Sequence, residues 1–240
     1  MYTIDDLSVY IFNWKKVTDN SLLLYKKVSA IVKDTVLINC DEHFKPKKAI
    51  NHIQLDDSYY YGSQYDVAIK HVKPNKIFCV IVGDNLPTAN FRAIFESAMA
   101  TFNTHDVGIY APNDKRTVHV STSGKHHGKL YNVPNTDCGF WFIHPCIVDK
   151  LKSINYRVSN FGWGVDIITI KEARRQGLLV LRDYSVETDQ LDHSCGYNHR
   201  DASVGAQELL KIYDAMISKA GPLPYDSTIS KFEPLPSTKA

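Results

Sequence analysis

The chain has 240 residues, 44% of them hydrophobic and 22% charged, which suits one sizeable α/β domain or two small ones with ample material for a buried core. Its 28 basic and 26 acidic residues leave a net charge of +2, which excludes binding that rests on bulk attraction to polyanions. Five cysteines with no CxxC pair exclude a disulfide framework and point to a reducing compartment.

Met1 to Asp6 has neither a basic nor an apolar leader pattern, and no apolar run approaches the roughly 18 residues of a membrane span. A soluble, cytoplasmic protein without its own anchor is therefore expected. Basic clusters at Lys45 to Lys48, Lys115-Arg116 and Lys125 to Lys129 read as solvated loop faces, with phosphate or nucleic-acid contact as the alternative.

Leu7 to Trp14 is an apolar run rich in Val, Ile, Tyr and Phe, the pattern of a buried strand. Thr18 to Ser21 is a cluster of capping residues, Leu22 to Val32 follows at helical spacing, and Thr35 to Cys40 reads as a second strand closed by Asp41-Glu42. This βαβ opening implies a parallel sheet with ligands at the carboxyl ends of its strands. No GxGxxG follows the first strand, which disfavours a dinucleotide fold of the usual fingerprint. Lys45 to Asp57 is polar and has no clear element. Tyr59-Tyr60-Tyr61-Gly62-Ser63-Gln64 leads into a helix over Tyr65 to Val72. Ile77 to Val82, the most apolar strand, runs into Gly83-Asp84-Asn85. An Asp just past a buried parallel strand sits where phosphates and metals bind, although a turn chooses Gly-Asp-Asn for its own reasons.

Asn90 to Phe102 reads as an amphipathic helix, Val107 to Tyr110 and Thr117 to Thr122 as strands, and Ser123 to Lys129 as a mobile loop. Asp137, before Cys138-Gly139, leads into a strand over Phe140 to His144, and Ile147 to Ile154 is a short helix. A helix to Gln176-Gly177, a strand over Leu178 to Leu181 and a last helix over Gln207 to Ala220 complete a domain over residues 1–220. Residues 221–240 contain four prolines and read as an extended tail.

The stretch Phe161-Gly162-Trp163-Gly164-Val165-Asp166 carries the most chemistry. Its glycines permit close approach, Trp163 offers a flat apolar face, and Asp166 falls at a helix start, where a carboxylate is favoured. That is the layout of an acceptor platform beside a general base. The competing reading makes Trp163 core and Asp166 a cap.

Taken together, the βαβ start, the acid after the second strand, the Gly-Ser-Gln loop, the strand running into Asp84 and the late GWGVD resemble the GT-A glycosyltransferases, most like family 2 and its galactosyltransferase-like relatives. The likeness covers residues 7 to about 200. It implies a single Rossmann-like α/β domain with a mostly parallel central sheet flanked by helices. It further implies that Phe12, Asn13 and Asp41 hold the base and ribose of a nucleotide sugar, with Tyr61, Gly62 and Gln64 beside it. Asp84, followed by Asn85, would stand in the metal-binding Asp-x-Asp motif, His193 would be the late metal ligand, and Asp166 the catalytic base. The cation would be Mn²⁺ or Mg²⁺ and the donor a nucleoside-diphosphate sugar. Trp163 and Gly164 would meet the acceptor, a glycan or a hydroxylated DNA base, and Asp137 either contacts it too or closes an Asx turn.

Two departures bear on this expectation. Val82-Gly83-Asp84 lacks one carboxylate of Asp-x-Asp, and Val165 replaces the Glu of the Glu-Asp motif. A non-catalytic nucleotide-sugar or nucleic-acid binding module on the same fold is therefore the second reading. Cys138 with a nearby histidine suggests a thiol nucleophile, but its place beside an apolar strand favours inert burial.

Overall fold

The computed structural model describes residues 1–45, 50–115, 130–191, 198–219 and 233–234. Strand β1 (Leu7–Asn13) is buried along its whole length and pairs in parallel with β2 (Thr35–Asn39) on one side and β4 (Ile77–Val82) on the other. Burial on both faces is what turns such strands into unbroken apolar runs. Alternation still sorts their side chains. Leu7, Val9 and Ile11 enter one core, whereas Tyr10 and Phe12 enter the other.

The sheet has the order β3-β2-β1-β4-β7-β5-β8-β6-β9. Its remaining strands are β3 (His52–Gln54), β5 (Val107–Asp114), β6 (Leu130–Asn132), β7 (Phe140–Ile143), β8 (Leu179–Thr188) and β9 (Glu233–Pro234). The pairings leave β6 and β7 running against the other described strands, so the sheet is mostly parallel. Helices α1 (Thr18–Ser29) and α3 (Phe91–Thr104) contribute to one core, with Leu24, Val28, Phe91, Ile94 and Phe95 among its members. On the opposite face lie α2 (Tyr61–His71), α4 (Pro145–Leu151), α5 (Val165–Arg175) and α6 (His199–Ser218), which supply Tyr65, Ile147, Ile168, Leu209 and Tyr213. The result is a single α/β domain with helices on both faces of one sheet.

Register decides where chemistry collects. Phe12 lies opposite both Ile38 and Val82, and Asn13 opposite Asn39, so β1, β2 and β4 end on one edge. Strand β7 begins beside the end of β4, with Phe140 opposite Ile81, which delivers Cys138 and Gly139 to the same edge.

Several boundaries differ from the sequence expectation. Helix α2 starts at Tyr61 rather than Tyr65, and α6 at His199 rather than Gln207, where the Asn198 side chain accepts from the Arg200 backbone N–H. Gly205 lies inside α6 because the helix crowds the 3₁₀ turn Tyr156–Ser159: a Cβ there would come within 2.9 Å of Ser159 Cα. Strand β8 continues past Leu181 through Arg182 and Asp183, whose polar groups are satisfied inside the fold. Asp183 accepts from the hydroxyls of Ser97 at 2.6 Å and Tyr110 at 2.7 Å. The expected strand over Thr117 to Thr122 and loop over Ser123 to Lys129 lie outside the described residues, as does the tail apart from β9, which pairs with β6. No helix among the described residues is long and apolar enough to cross a membrane.

Candidate functional site

The carboxyl edge of β1, β2 and β4 is built almost entirely of amides and acids. Asn13 is fully buried, and its Nδ2 donates to Thr18 Oγ1 at 3.2 Å and to Asn39 Oδ1. Asp41 accepts from Thr18 Oγ1 at 2.7 Å and from the backbone of His43 at 3.0 Å, so the first turn of α1 fixes the acid that ends β2. Gln64, buried in the first turn of α2, reaches the same point: its Nε2 donates to the Asn13 carbonyl and to Cys40 Sγ, each at 3.2 Å. Burial pushes the Cys40 thiol up to about 12, so it remains a neutral group.

The turn after β4 is held from three sides. Asn20 of α1 donates to the carbonyls of Gly83 and Asn85, both at 2.7 Å. Asn85 Nδ2 donates to the Val82 and Gly139 carbonyls at 3.0 and 3.2 Å. The Leu191 backbone N–H donates to the Asp84 carbonyl at 2.7 Å. Asp84 is thereby kept at the edge, 5% exposed. His193, two residues beyond Leu191, lies outside the described residues. Among the described residues no three His, Cys, Asp or Glu side chains gather into a metal-binding group.

The side-chain carbonyl oxygens of Asn13, Gln64 and Asn85 are buried and accept no hydrogen bond. A buried acceptor without a donor costs about 1–3 kcal/mol, and three such oxygens lie on this edge, while Tyr65, Trp141 and Thr188 carry comparable buried polar atoms elsewhere.

A second group forms around Tyr61. Its ring packs on Phe12 with centroids 5.2 Å apart, and its hydroxyl donates to the Cys138 carbonyl at 2.8 Å. Gly162, at φ +86°, lets that ring approach: a Cβ on it would lie 2.4 Å from Tyr61 Cδ1. Gly62 is likewise required by packing, since a Cβ there would meet the Ser159 carbonyl. Asp166 stands in the first turn of α5 behind the left-handed N-cap Gly164. Desolvation, then the negative charges of Asp137 and Asp166, push the Cys138 thiol well above its ordinary range. That direction favours the neutral thiol over a nucleophilic thiolate.

Asp137 also closes an Asx turn by accepting from the Gly139 backbone N–H. Trp163 is not core. It is 37% exposed, with its edge against His199 of α6 at 5.6 Å. The structure thus brings Phe12, Asn13, Asp41, Tyr61, Gly62, Gln64, Asp84 and Asn85 to one sheet edge, with Asp137, Trp163, Gly164 and Asp166 on the loops and helix start beside it. The sequence marks Thr18 and Asn20 only as caps and gives Asn39 no role, yet these position the site: Thr18 holds Asp41, Asn20 the Gly83–Asn85 turn, and Asn39 Nδ2 the Asp41 carbonyl. Their signals were the polar cluster Thr18 to Ser21 and an Asn at the end of the second strand.

No protein-family model matches the chain, and no curated protein sequence does either. Solved structures do. A mannosyltransferase from Pyrobaculum calidifontis, in complex with GDP-Man and Mn²⁺, superposes with a TM-score of 0.53 at 12% identity, covering 91% of this chain and 66% of its own. GalNAc-T7 with UDP, GalNAc and Mn²⁺ superposes with a TM-score of 0.54 at 11% identity, over 88% of this chain and 48% of its own. The chain therefore has a GT-A-like fold, and it spans about two thirds and one half of these two proteins.

Proposed function

We propose that the protein is a glycosyltransferase, moving a sugar from a nucleoside-diphosphate donor to an acceptor hydroxyl. The observation that supports this reading is the gathering of Asn13, Asp41, Gln64, Asp84 and Asn85 at the carboxyl ends of β1, β2 and β4 in a GT-A-like fold. Asn13 and Gln64 face the base and ribose, whose N–H and O–H groups donate to them, and Asp41, already oriented by Thr18, takes a ribose hydroxyl. The aromatic pair of Phe12 and Tyr61 walls this end of the site.

Asp84 and Asn85 lie toward the diphosphate. A carboxylate and an amide oxygen are hard donors of the kind Mn²⁺ and Mg²⁺ take, and both cations also share their sites with substrate phosphates. The described residues alone supply too few ligands for a cage. His193 is the proposed further ligand, and the bond from Leu191 to the Asp84 carbonyl ties the chain just before it to this turn. When bound, the cation offsets the charge that develops on the leaving diphosphate.

Asp166 is the general base. Its carboxylate accepts the proton of the acceptor hydroxyl as that oxygen bonds to the anomeric carbon and the bond to the diphosphate breaks, which inverts the centre. Trp163 covers the acceptor face and keeps water from competing. Asp137 and Gly164 border the same space.

The test measures binding and turnover of UDP-, GDP-, dTDP- and CDP-sugars, with and without Mn²⁺. Asp84→Ala should abolish metal-dependent binding of the preferred donor. Asp166→Asn should keep donor binding and lower turnover by at least a hundredfold. Absence of binding to every donor with metal present rejects the transferase reading, and with it a nucleotide-sugar binding module, leaving the nucleic-acid binding module to be tested on nucleic acids.

A further inference from the structure

The described chain exposes six large hydrophobic side chains, and four of them belong to segments that pack on one another. These are Tyr60 (43% exposed), whose ring lies on Phe161, and Trp163 (37%) and Ile167 (41%) on either side of the start of α5. The fourth is Val204 (61%) on α6, where Ala206 meets Gly164 and Gly205 the Ser159 turn. Single exposed apolar side chains need no explanation, but a gathering beside a candidate site does. Hydrogen bonds tie the segments of this face together. Asn160 accepts from the Tyr60 backbone at 3.1 Å and from Ser63 Oγ at 2.6 Å, and donates to the Ser58 carbonyl at 3.0 Å. Those bonds press the ring of Tyr60 onto Phe161, with centroids 4.8 Å apart.

The surface continues away from Asp166. Next to Tyr60, the Arg157 guanidinium lies over the ring of Tyr59 at 5.4 Å. Arg157 then lines a groove of about 500 Å³ with Asp66, Val67, Lys70, His71 and Asn155. Asp66, 3% exposed, organises that groove: it accepts from Lys70 and from the Tyr156 backbone at 3.1 Å, and pairs with Arg157 at 3.2 Å. The groove therefore presents donors and acceptors side by side. Its two cations share one carboxylate, and exposed Asp56 and Asp57 lie just before Tyr59.

We propose that Tyr59, Tyr60 and residues 157–166 form a track for a neutral oligosaccharide acceptor. Its reacting end lies at Asp166 and Trp163, its middle on the Tyr60–Phe161 shelf, and its far end in the groove at Asp66 and Arg157. Sugar rings offer apolar faces to aromatic shelves and hydroxyls, which both donate and accept, to a mixed polar groove. A nucleic acid strand would also stack on the rings, but it requires a surplus of Lys and Arg along its path, whereas Asp66 offsets part of the charge of Lys70 and Arg157 and exposed Asp56 and Asp57 oppose it. The assignment of the reacting end rests on the proposed glycosyl transfer, whereas binding along the track does not.

The experiment titrates the full chain by calorimetry with cello-, malto-, chito- and mannohexaose, their disaccharides, and a single-stranded DNA dodecamer. Wild type is compared with Tyr60→Ala and Arg157→Met, with thermal melts to verify folding, and donor binding is measured on the same samples. One hexasaccharide should bind at least tenfold more tightly than its disaccharide. Tyr60→Ala should remove that advantage while leaving disaccharide affinity and donor binding unchanged, and Arg157→Met should weaken the hexasaccharide alone. Failure of all four hexasaccharides, equal affinity of wild type and Tyr60→Ala, or preferential binding of the DNA overturns the track. Hexasaccharide binding without any donor binding overturns the transferase reading and leaves the track standing.

Discussion

Gly162 and Gly164 flank Trp163 at φ +86° and +89°, yet they are glycines for different reasons. An L-residue in the left-handed region costs roughly 1–2 kcal/mol, so either position resists alanine. At Gly164 that is the whole penalty, because the nearest atoms to a new Cβ belong to Ala206 at an ordinary 3.5 Å. At Gly162 the Cβ would also strike the Tyr61 ring at 2.4 Å, and that ring is held by its bond to the Cys138 carbonyl. Urea unfolding should therefore show Gly164→Ala losing about 1 kcal/mol and Gly162→Ala losing roughly 3 kcal/mol or more. If Tyr61 walls the donor site, Gly162→Ala should weaken donor binding as well, while Gly164→Ala leaves it within twofold. Equal losses of stability in the two variants would show that Tyr61 moves aside freely.

Helices α5 and α6 carry Asp166 and the His199 support of Trp163 at their starts, and a polar clamp farther along fixes their relation. Glu172 of α5 is fully buried, accepts two bonds from Arg175 at 2.7 Å, one from Gln176 at 2.7 Å, and one from Tyr213 of α6 at 3.0 Å. Burial opposes its charge, but the bonds from Arg175, Gln176 and Tyr213 prevail and hold its carboxyl below the ordinary value of 4.5. A carboxyl depressed in the folded state contributes stability above its unfolded pKa and loses it as pH falls through the folded pKa. Acid denaturation should accordingly include Glu172, and Glu172→Gln should flatten the stability profile below about pH 4.5 while costing roughly 3 kcal/mol at neutral pH. An unchanged acid limb would contradict the clamp. Elements of this scale were unevenly legible in the sequence. Strand β4 was bounded correctly because full burial leaves an unbroken apolar run. The three-residue β3 offered no period to read, and the start of α6 was hidden because its packing on the Tyr156–Ser159 turn demands Gly205 in a polar stretch. At the site, strand ends marked Asn13, Asp41 and Asp84. Which amide oxygens would be left without donors depends on bonds such as Gln64 to Asn13 across 51 positions, and no local pattern encodes that.

On the scale of the whole molecule, both cores lean on the same central strands: β1 sends Val9 and Ile11 to one and Tyr10 and Phe12 to the other. A ligand that bridges the ends of β1, β2 and β4 therefore acts on the shared sheet and not on a peripheral loop. Binding to the native state alone stabilises it by about 2.7 kcal/mol at a hundredfold excess over Kd. For a domain of this size that corresponds to a rise in Tm of roughly 5 to 10 °C. The preferred nucleoside-diphosphate sugar with Mn²⁺ should produce such a rise in a thermal-shift measurement. Chelating the metal should reduce it strongly if Asp84 and its neighbours help to hold the diphosphate. Asn13→Leu removes one unsatisfied oxygen along with its bonds to Thr18 and Asn39, so its unliganded Tm falls; the informative quantity is the shift on adding donor, which should vanish. Asp166→Asn, which leaves the sheet edge intact, should retain the full shift. A ligand-induced rise that survives in Asn13→Leu would place the nucleotide somewhere other than the edge of β1.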